Sequence, residues 1–209
     1  MPYKIDLHVH SVNSGDSPTD PEEVIIKAIE RSLDGVAFTE HYSYGASEGV
    51  DALREKYRNS IMLLRGVEFS AAEGHCLVFG VDTDRLSLKY APVADLVRIV
   101  NGQGGVVIPS HPYRGVHSLG DLIRGINGFC AIEGYNGCNM HPYNVKAIKT
   151  AQALSLPVTG GSDAHTAGEV GSCYTEFYDD VTYDNFIEVL KKGRYRGVET
   201  RKVSRMWPF

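Results

Sequence analysis

No apolar run in this 209-residue sequence approaches the roughly 20 residues that a helical membrane span needs, so no membrane partner is expected. Basic residues are also in short supply. Lys and Arg number 21 against 26 Asp and Glu, leaving a net charge of -5, which argues against a broad phosphate-neutralising surface for duplex nucleic acid. Cysteine is limited to Cys76, Cys130, Cys138 and Cys173, and no C-x-x-C pair occurs. Reduced structural thiols are therefore expected, in place of a disulfide framework or a thiolate zinc site. There is no G-x-S-x-G nucleophile elbow and no P-loop. Gly102-Gln103-Gly104-Gly105 follows a helical stretch and precedes a strand, so it reads as a helix C-cap and not as a phosphate cradle. The opening Met1-Pro2-Tyr3-Lys4-Ile5-Asp6 lacks the apolar core of a signal peptide, which makes the cytoplasm the expected location.

The chain is long enough for one well-buried domain and short for two; no repeat, low-complexity segment or linker interrupts it, so 1–209 is read as a single domain. Short β-type runs recur at residues 4–8, 35–38, 62–68, 76–79, 106–109, 129–133 and 156–159, most of them separated by stretches of helical period. The first helix is well signalled. Asp20 suits the N-cap, Pro21 the first turn, Glu22 and Glu23 the positive end of the dipole, and Val24, Ile25, Ala28 and Ile29 form an apolar face. Further helices are expected over 49–57, 92–101, 119–126, 142–154 and 183–192. Alternating strand and helix implies an α/β fold with helices outside a parallel sheet. The step from Glu68 to Cys76 is too short for a crossover helix, so a hairpin or irregular turn is expected there. About seven strands with one break in the rhythm suggest a closed, distorted barrel.

What the sequence does hold is histidine, eight in all, six of them scattered among acids. His8-Val9-His10 and Asp163-Ala164-His165 place two side chains each on one face of an extended segment, at i and i+2. His41, Glu68, His75 and His111 fall between them. Imidazole with carboxylate is the ligand chemistry of zinc, manganese and iron. His8, His10, His41, Glu68, His111, Asp163 and His165 all fall at or just beyond strand carboxyl ends, where barrel folds gather their functional residues.

Taken in order, Asp6-Leu7-His8-Val9-His10-Ser11, Thr39-Glu40-His41, Gly66-Val67-Glu68, Ser110-His111-Pro112 and Gly161-Ser162-Asp163-Ala164-His165 resemble the motifs of the polymerase and histidinol phosphatase (PHP) family, from Ile5 to about Tyr174. The resemblance implies a distorted (β/α)7 TIM-like barrel, the PHP fold, holding two to three divalent ions (Zn, Mn or Fe). It implies that His8, His10, Glu68 and Asp163 hold a first ion. Glu68 would bridge to a second ion held also by His75 and His111. Asp16, His41 and His165 would hold a third, Asp16 matching the acidic position five residues before Pro21-Glu22-Glu23. Glu40 departs from the family, which usually has Asp before the histidine.

The chemistry implied is metal-dependent phosphoester hydrolysis, with Glu68, Asp163 and His165 catalytic through a metal-activated hydroxide. The expected partner is a small phosphorylated compound, a phosphomonoester or nucleotide-type phosphate. Arg114, three residues after His111, is either a phosphate-binding fork or a solvent-facing loop residue. Asp6 is expected to accept an imidazole N–H from the ligand shell. Glu133 either supports the centre or is a plain buried carboxylate. His117 and His141 match no motif, though the loop carrying His117 can overhang the cleft, and Tyr42, Tyr44 and Tyr113 are candidates to stack on a substrate ring. The tail from Arg201 to Phe209 reads as packing at the barrel base. Three rival readings stand beside the first: exonucleolytic trimming of short RNA or DNA ends, a metal-holding module without turnover, and metal-dependent deamination or amide hydrolysis. Barrels of the last kind commonly bridge their metals with a carboxylated lysine, whereas the strand-end bridge here is Glu68.

Overall fold

The computed structural model describes residues 2–86, 88 and 90–201. The first helix forms as its sequence signals. The Asp20 carboxylate accepts the Glu22 N–H at 2.8 Å, and α1 (Pro21–Glu30) buries Val24, Ile25 and Ala28. That face packs on Val36 and Phe38 of β2 (Gly35–Phe38).

Beside β2 lie β1 (Tyr3–Val9) and β3 (Met62–Ser70), both parallel to it. Chain direction then reverses through a tight turn into β4 (His75–Phe79), which pairs antiparallel with β3 and with β5 (Val106–Pro109). The expected hairpin is therefore present. A parallel pair, β6 (Ile132–Asn136) and β7 (Val158–Gly161), stands apart from this sheet. Of two further strands, β8 (Cys173–Phe177) adds antiparallel to the first half of β1, and β9 (Tyr195–Glu199) adds antiparallel to β8. The main sheet thus runs β5-β4-β3-β2-β1-β8-β9.

The result is an α/β domain built on a curled seven-stranded sheet, a half-barrel. Backbone bonds bring β6 and β7 to its two sides. Cys130 N–H reaches Val107 O at 3.0 Å, while Asp163 N–H reaches His8 O at 2.7 Å and His10 N–H reaches Ala164 O at 2.9 Å. The expected strand–helix alternation, with its one break after Glu68, holds only in part, because β5 also runs antiparallel to β4 and β8–β9 was not foreseen. Both are short, and β9 (YRGVE) carries too little apolar character to announce itself. The stretch expected as a helix over 119–126 is a 3-10 turn, Gly120–Gly125, since glycines at both ends leave too few good helix formers for α geometry.

The remaining helices, α2 (Val50–Tyr57), α3 (Val93–Gly102), α4 (His141–Ala153) and α5 (Phe186–Lys192), complete the domain. One end of the sheet is filled by Ile5, Leu7, Phe79, Ile108, Phe177 and Phe186. Of the tail, Arg201 donates to the carbonyls of Gly137 and Asn139 and to Glu199; its expected packing from Lys202 onward lies outside the described residues. All four cysteines are free.

Candidate metal centre

At the opposite end of the sheet the strands deliver polar side chains. His8 and His10 lie at and just past the end of β1, and Glu68 lies near the end of β3. Because β4 runs the other way, its first residue, His75, meets the same rim. His111 follows β5, and Asp163 follows β7 in a left-handed backbone conformation (φ 54°). Gly161 allows that approach: a Cβ there would sit 2.4 Å from the His8 Cβ.

The side chains converge. His8 Nε2 and His10 Nε2 are 3.1 Å apart and each lies 3.3 Å from Asp163 Oδ1. Glu68 Oε1 is 3.4 Å from His8 Nε2, and Glu68 Oε2 is 3.5 Å from His10 Nε2. Glu68 also faces His111 Nε2 at 2.8 Å, His75 Nδ1 at 3.4 Å and His41 Nδ1 at 3.2 Å. Outside these, Asp16 Oδ2 lies 3.0 Å from His41 Nε2 and 3.2 Å from His165 Nε2. Within each of three groups, one donor atom per residue lies within 4.8 Å of the others: His8, His10, Glu68 and Asp163; His41, Glu68 and His75; His10, Asp16, His41 and His165. The first group is the set expected for one ion. The second brings in His41 where the sequence reading had His111, whose Nε2 nonetheless faces the same Glu68 oxygen.

The donor set fits a cluster of divalent ions on two counts. Glu68 Oε2, Asp163 Oδ1, His41 Nδ1 and His75 Nδ1 are buried without a hydrogen-bond partner among the described residues, a costly arrangement unless a ligand satisfies them. Second, neighbouring acceptors fix the imidazole tautomers. Glu133 Oε1 accepts His8 Nδ1–H at 2.8 Å, and the Asp163 carbonyl accepts His165 Nδ1–H at 2.9 Å. The Ser14 hydroxyl gives its proton to Glu40, so its oxygen accepts His10 Nδ1–H at 2.9 Å. On losing its second proton, each of these rings would therefore present its Nε2 lone pair to the centre, as histidine ligands require.

These carboxylates also set the electrostatics. Burial works against charge on His8, but Asp163, Glu133 and Glu68 outweigh it and hold the imidazolium well above the ordinary histidine range. Burial likewise opposes charge on His10, yet Asp163 and Glu68 push it up to about 9. His41 goes the other way, to about 4, because burial and the His10 charge dominate. Burial disfavours ionised Glu68 and Asp163, but the facing imidazoles keep both carboxyls far below their usual range.

Two expectations need correction. Asp6 does not bond an imidazole; it accepts the backbone N–H groups of Ser162 and Gly171, each at 2.8 Å, and of His8 at 3.3 Å. Deeper placement leaves it touching main chain, and Glu133 takes the imidazole instead. Burial raises Asp6 to about 6 despite those donors. Tyr113 is turned inward, its hydroxyl bonded to Asp121 and Thr150, while the Tyr44 ring lies under the Arg65 guanidinium, so neither lines the cleft. Tyr42 does.

Glu40 accommodates its longer chain by accepting from two serine hydroxyls, Ser11 and Ser14, and the Ser11 N–H. Arg114 Nη1 donates to Asp163 Oδ2 at 2.6 Å and Nη2 to His111 Nε2 at 2.9 Å, which puts it at the cleft lip and not in bulk solvent. His117, which no motif marked, stacks on His75 with centroids 4.8 Å apart. His141 stays exposed near Glu199. The cleft over the centre measures about 600 Å³ and is bordered by Tyr42, Glu73, Tyr90, Arg114 and His117.

Fold and donor geometry together define an α/β protein whose clustered imidazoles and carboxylates could hold metal ions. A family model described as PHP-associated matches residues 141–195, the stretch that carries Asp163 and His165. The fold is similar to that of PsfC from Pseudomonas syringae PB-5123 (21% identical, covering 95% of this chain and 92% of that one, TM-score 0.73). It is also similar to a protein from Bifidobacterium adolescentis assigned as a metal-dependent phosphoesterase (18%, covering 90% and 96%, TM-score 0.63). An amidohydrolase from Chromobacterium violaceum with bound sulfate shares it as well (21%, covering 91% and 96%, TM-score 0.66). No curated protein sequence matches the chain. The PHP-family resemblance carried by the ordered motifs is borne out.

Proposed function

We propose that this chain is a metal-dependent phosphoesterase that hydrolyses small phosphomonoesters or nucleotide-type phosphates. The observation that carries this reading is Glu68: one buried carboxylate faces five imidazoles contributed by β1, β4 and the loops after β1, β2 and β5. In this reading the half-barrel with β6 and β7 is a distorted (β/α)7 barrel forming one domain. His8, His10, Glu68 and Asp163 would hold one divalent ion, and Glu68, His75 and His111 would hold a second. Asp16, His41 and His165 would hold a third. Zinc, manganese and iron all suit such mixed nitrogen and oxygen donors.

Bound ions supply Lewis acidity to a phosphoryl oxygen and draw the pKa of water down towards ~7. The chain's own residues do the positioning. Glu133 and Ser14 hold the His8 and His10 rings, and Asn136 ties Glu133 to Asp163 with bonds of 3.0 and 3.2 Å. Arg114 engages two of its five N–H groups with Asp163 and His111, leaving the rest for a phosphate oxygen. The bridging position is a glutamate and no lysine borders the cleft among the described residues, which favours phosphoester chemistry over a carboxylated-lysine amide hydrolase.

A turnover screen over phosphorylated metabolites, nucleotides and short oligonucleotides, with manganese or zinc supplied, tests the proposal. Release of phosphate from monoesters is expected, lost together with bound metal in Glu68→Ala. Normal turnover in that variant removes Glu68 from the centre, and cleavage confined to oligonucleotides transfers the reading to an exonuclease.

A further inference from the structure

Next to the cleft lies a second recess of about 480 Å³. Tyr42, Ser70 and Tyr90 border both spaces, so the two adjoin along these side chains. On the recess side the walls change character. Phe69, Leu86 and Leu88 supply an apolar lining, and no lysine or arginine contributes among the described residues. Among the described residues a phosphate finds no cationic partner there. It finds Arg114 and the imidazoles in the cleft.

Two polar groups line the recess but not the cleft: Thr83 and Asp84. The Asp84 carboxylate is already engaged. It accepts the Ser43 hydroxyl at 2.7 Å and the N–H groups of Tyr44 (3.0 Å) and Gly45 (2.8 Å). These bonds tie the loop carrying Tyr42 to the turn carrying Thr83, so both walls are fixed relative to each other. Thr83 is different. It is 4% exposed, and its hydroxyl is buried without a partner among the described residues. A buried hydroxyl left unpaired costs stability unless something fills the space beside it.

The backbone reinforces the picture. Tyr42 (φ 66°) and Tyr90 (φ 52°), which border both spaces, hold left-handed conformations that bulky residues rarely adopt. His111, His117 and Asp163 share this feature at the cleft. Such strain persists where the surroundings over-determine a position, and it collects at ligand sites.

From this geometry we propose that the recess is the leaving-group subsite. It takes a flat, uncharged, largely apolar group carrying one hydrogen-bonding substituent, which pairs with the unpartnered Thr83 hydroxyl. The substrate class is then an aromatic or similarly flat phosphomonoester, in preference to a sugar or polyol phosphate. This assignment rests on the phosphoesterase reading.

Hydrolysis-resistant phosphonates test it without turnover. Calorimetric titration of the manganese-loaded protein compares methylphosphonate, benzylphosphonate and (4-hydroxybenzyl)phosphonate. Benzylphosphonate is expected to bind at least tenfold more tightly than methylphosphonate, and the hydroxyl to add a further severalfold. Leu86→Trp, which enlarges an apolar wall residue of the recess, is expected to erase the benzyl advantage while leaving methylphosphonate affinity unchanged. Thr83→Val is expected to remove only the hydroxyl increment. Benzylphosphonate binding no tighter than methylphosphonate, including the case in which neither binds, overturns the assignment. So does a benzyl advantage that survives in folded Leu86→Trp. Turnover of phosphomonoesters without the benzyl preference removes the subsite alone. The preference without any turnover removes the phosphoesterase reading and leaves the recess its ligand class.

Discussion

The two ends of one curled sheet are built from opposite materials. At the closed end Ile5, Phe79, Phe177 and Phe186 interlock, with the Phe79 and Phe186 rings edge to face at 5.5 Å. At the rim, His8, His10, Glu68, His111 and Asp163 are equally buried, yet they carry charge, orphaned donor atoms and left-handed backbone. Burial stabilises the first set by removing apolar surface from water. Burial of the second costs free energy that only a bound partner returns. The apolar end therefore holds the fold, and the rim is held in place by it.

Substitution at the closed end should have the largest effect on stability. Phe79→Ala removes a fully buried ring and is expected to cost about 3–5 kcal/mol in denaturant unfolding, with the metal content of the folded fraction unchanged. Loss of metal at constant stability would break the division between the two ends. Glu133→Gln should do the reverse. The carboxamide no longer offers His8 a charged acceptor, so metal affinity measured by chelator competition should fall about 10- to 100-fold while the unfolding midpoint moves little. An unchanged affinity would return Glu133 to a plain buried acid.

The pH dependence sharpens the contrast further. Folded-state values of His8 and His10 lie above the unfolded value of ~6.5, so their imidazolium forms stabilise the metal-free fold. That contribution is complete below ~6.5 and is lost as pH rises through about 9 for His10. Metal binding must displace those protons, so affinity should rise over the same window by up to about tenfold per pH unit for each proton released. Thermal melts with and without manganese check both signs, and parallel pH curves would contradict them. The smallest effect belongs to Ser14→Ala. It removes the hydroxyl between Glu40 and His10 and should cost about 1 kcal/mol in unfolding, with a modest loss of metal affinity.

How much of this is readable from sequence follows the same division. His8 and Glu68 sit on strands whose apolar runs are strong, and His10 and Asp163 follow such runs, so strand and ligand could be read together. The β3–β4 hairpin followed from the short step between Glu68 and Cys76. What escaped depends on contacts between distant segments. His117 reaches His75 only because the loop after β5 folds back, with His75 N–H bonded to His117 O at 2.9 Å. Asp6 and Glu133 are both buried acids on strands, and only three-dimensional packing decides which meets an imidazole and which meets main chain. β8 and β9 escaped because their stability comes from pairing with β1 and with each other, not from a pronounced apolar pattern of their own.

The metal content of the purified protein, after expression with manganese or zinc supplied, tests the account most directly. Elemental analysis is expected to return two to three transition-metal equivalents per chain, reduced in Glu68→Ala while the variant stays folded. Fewer than one equivalent in the unaltered protein would contradict it, leaving the buried carboxylates and imidazoles at the rim to satisfy one another alone.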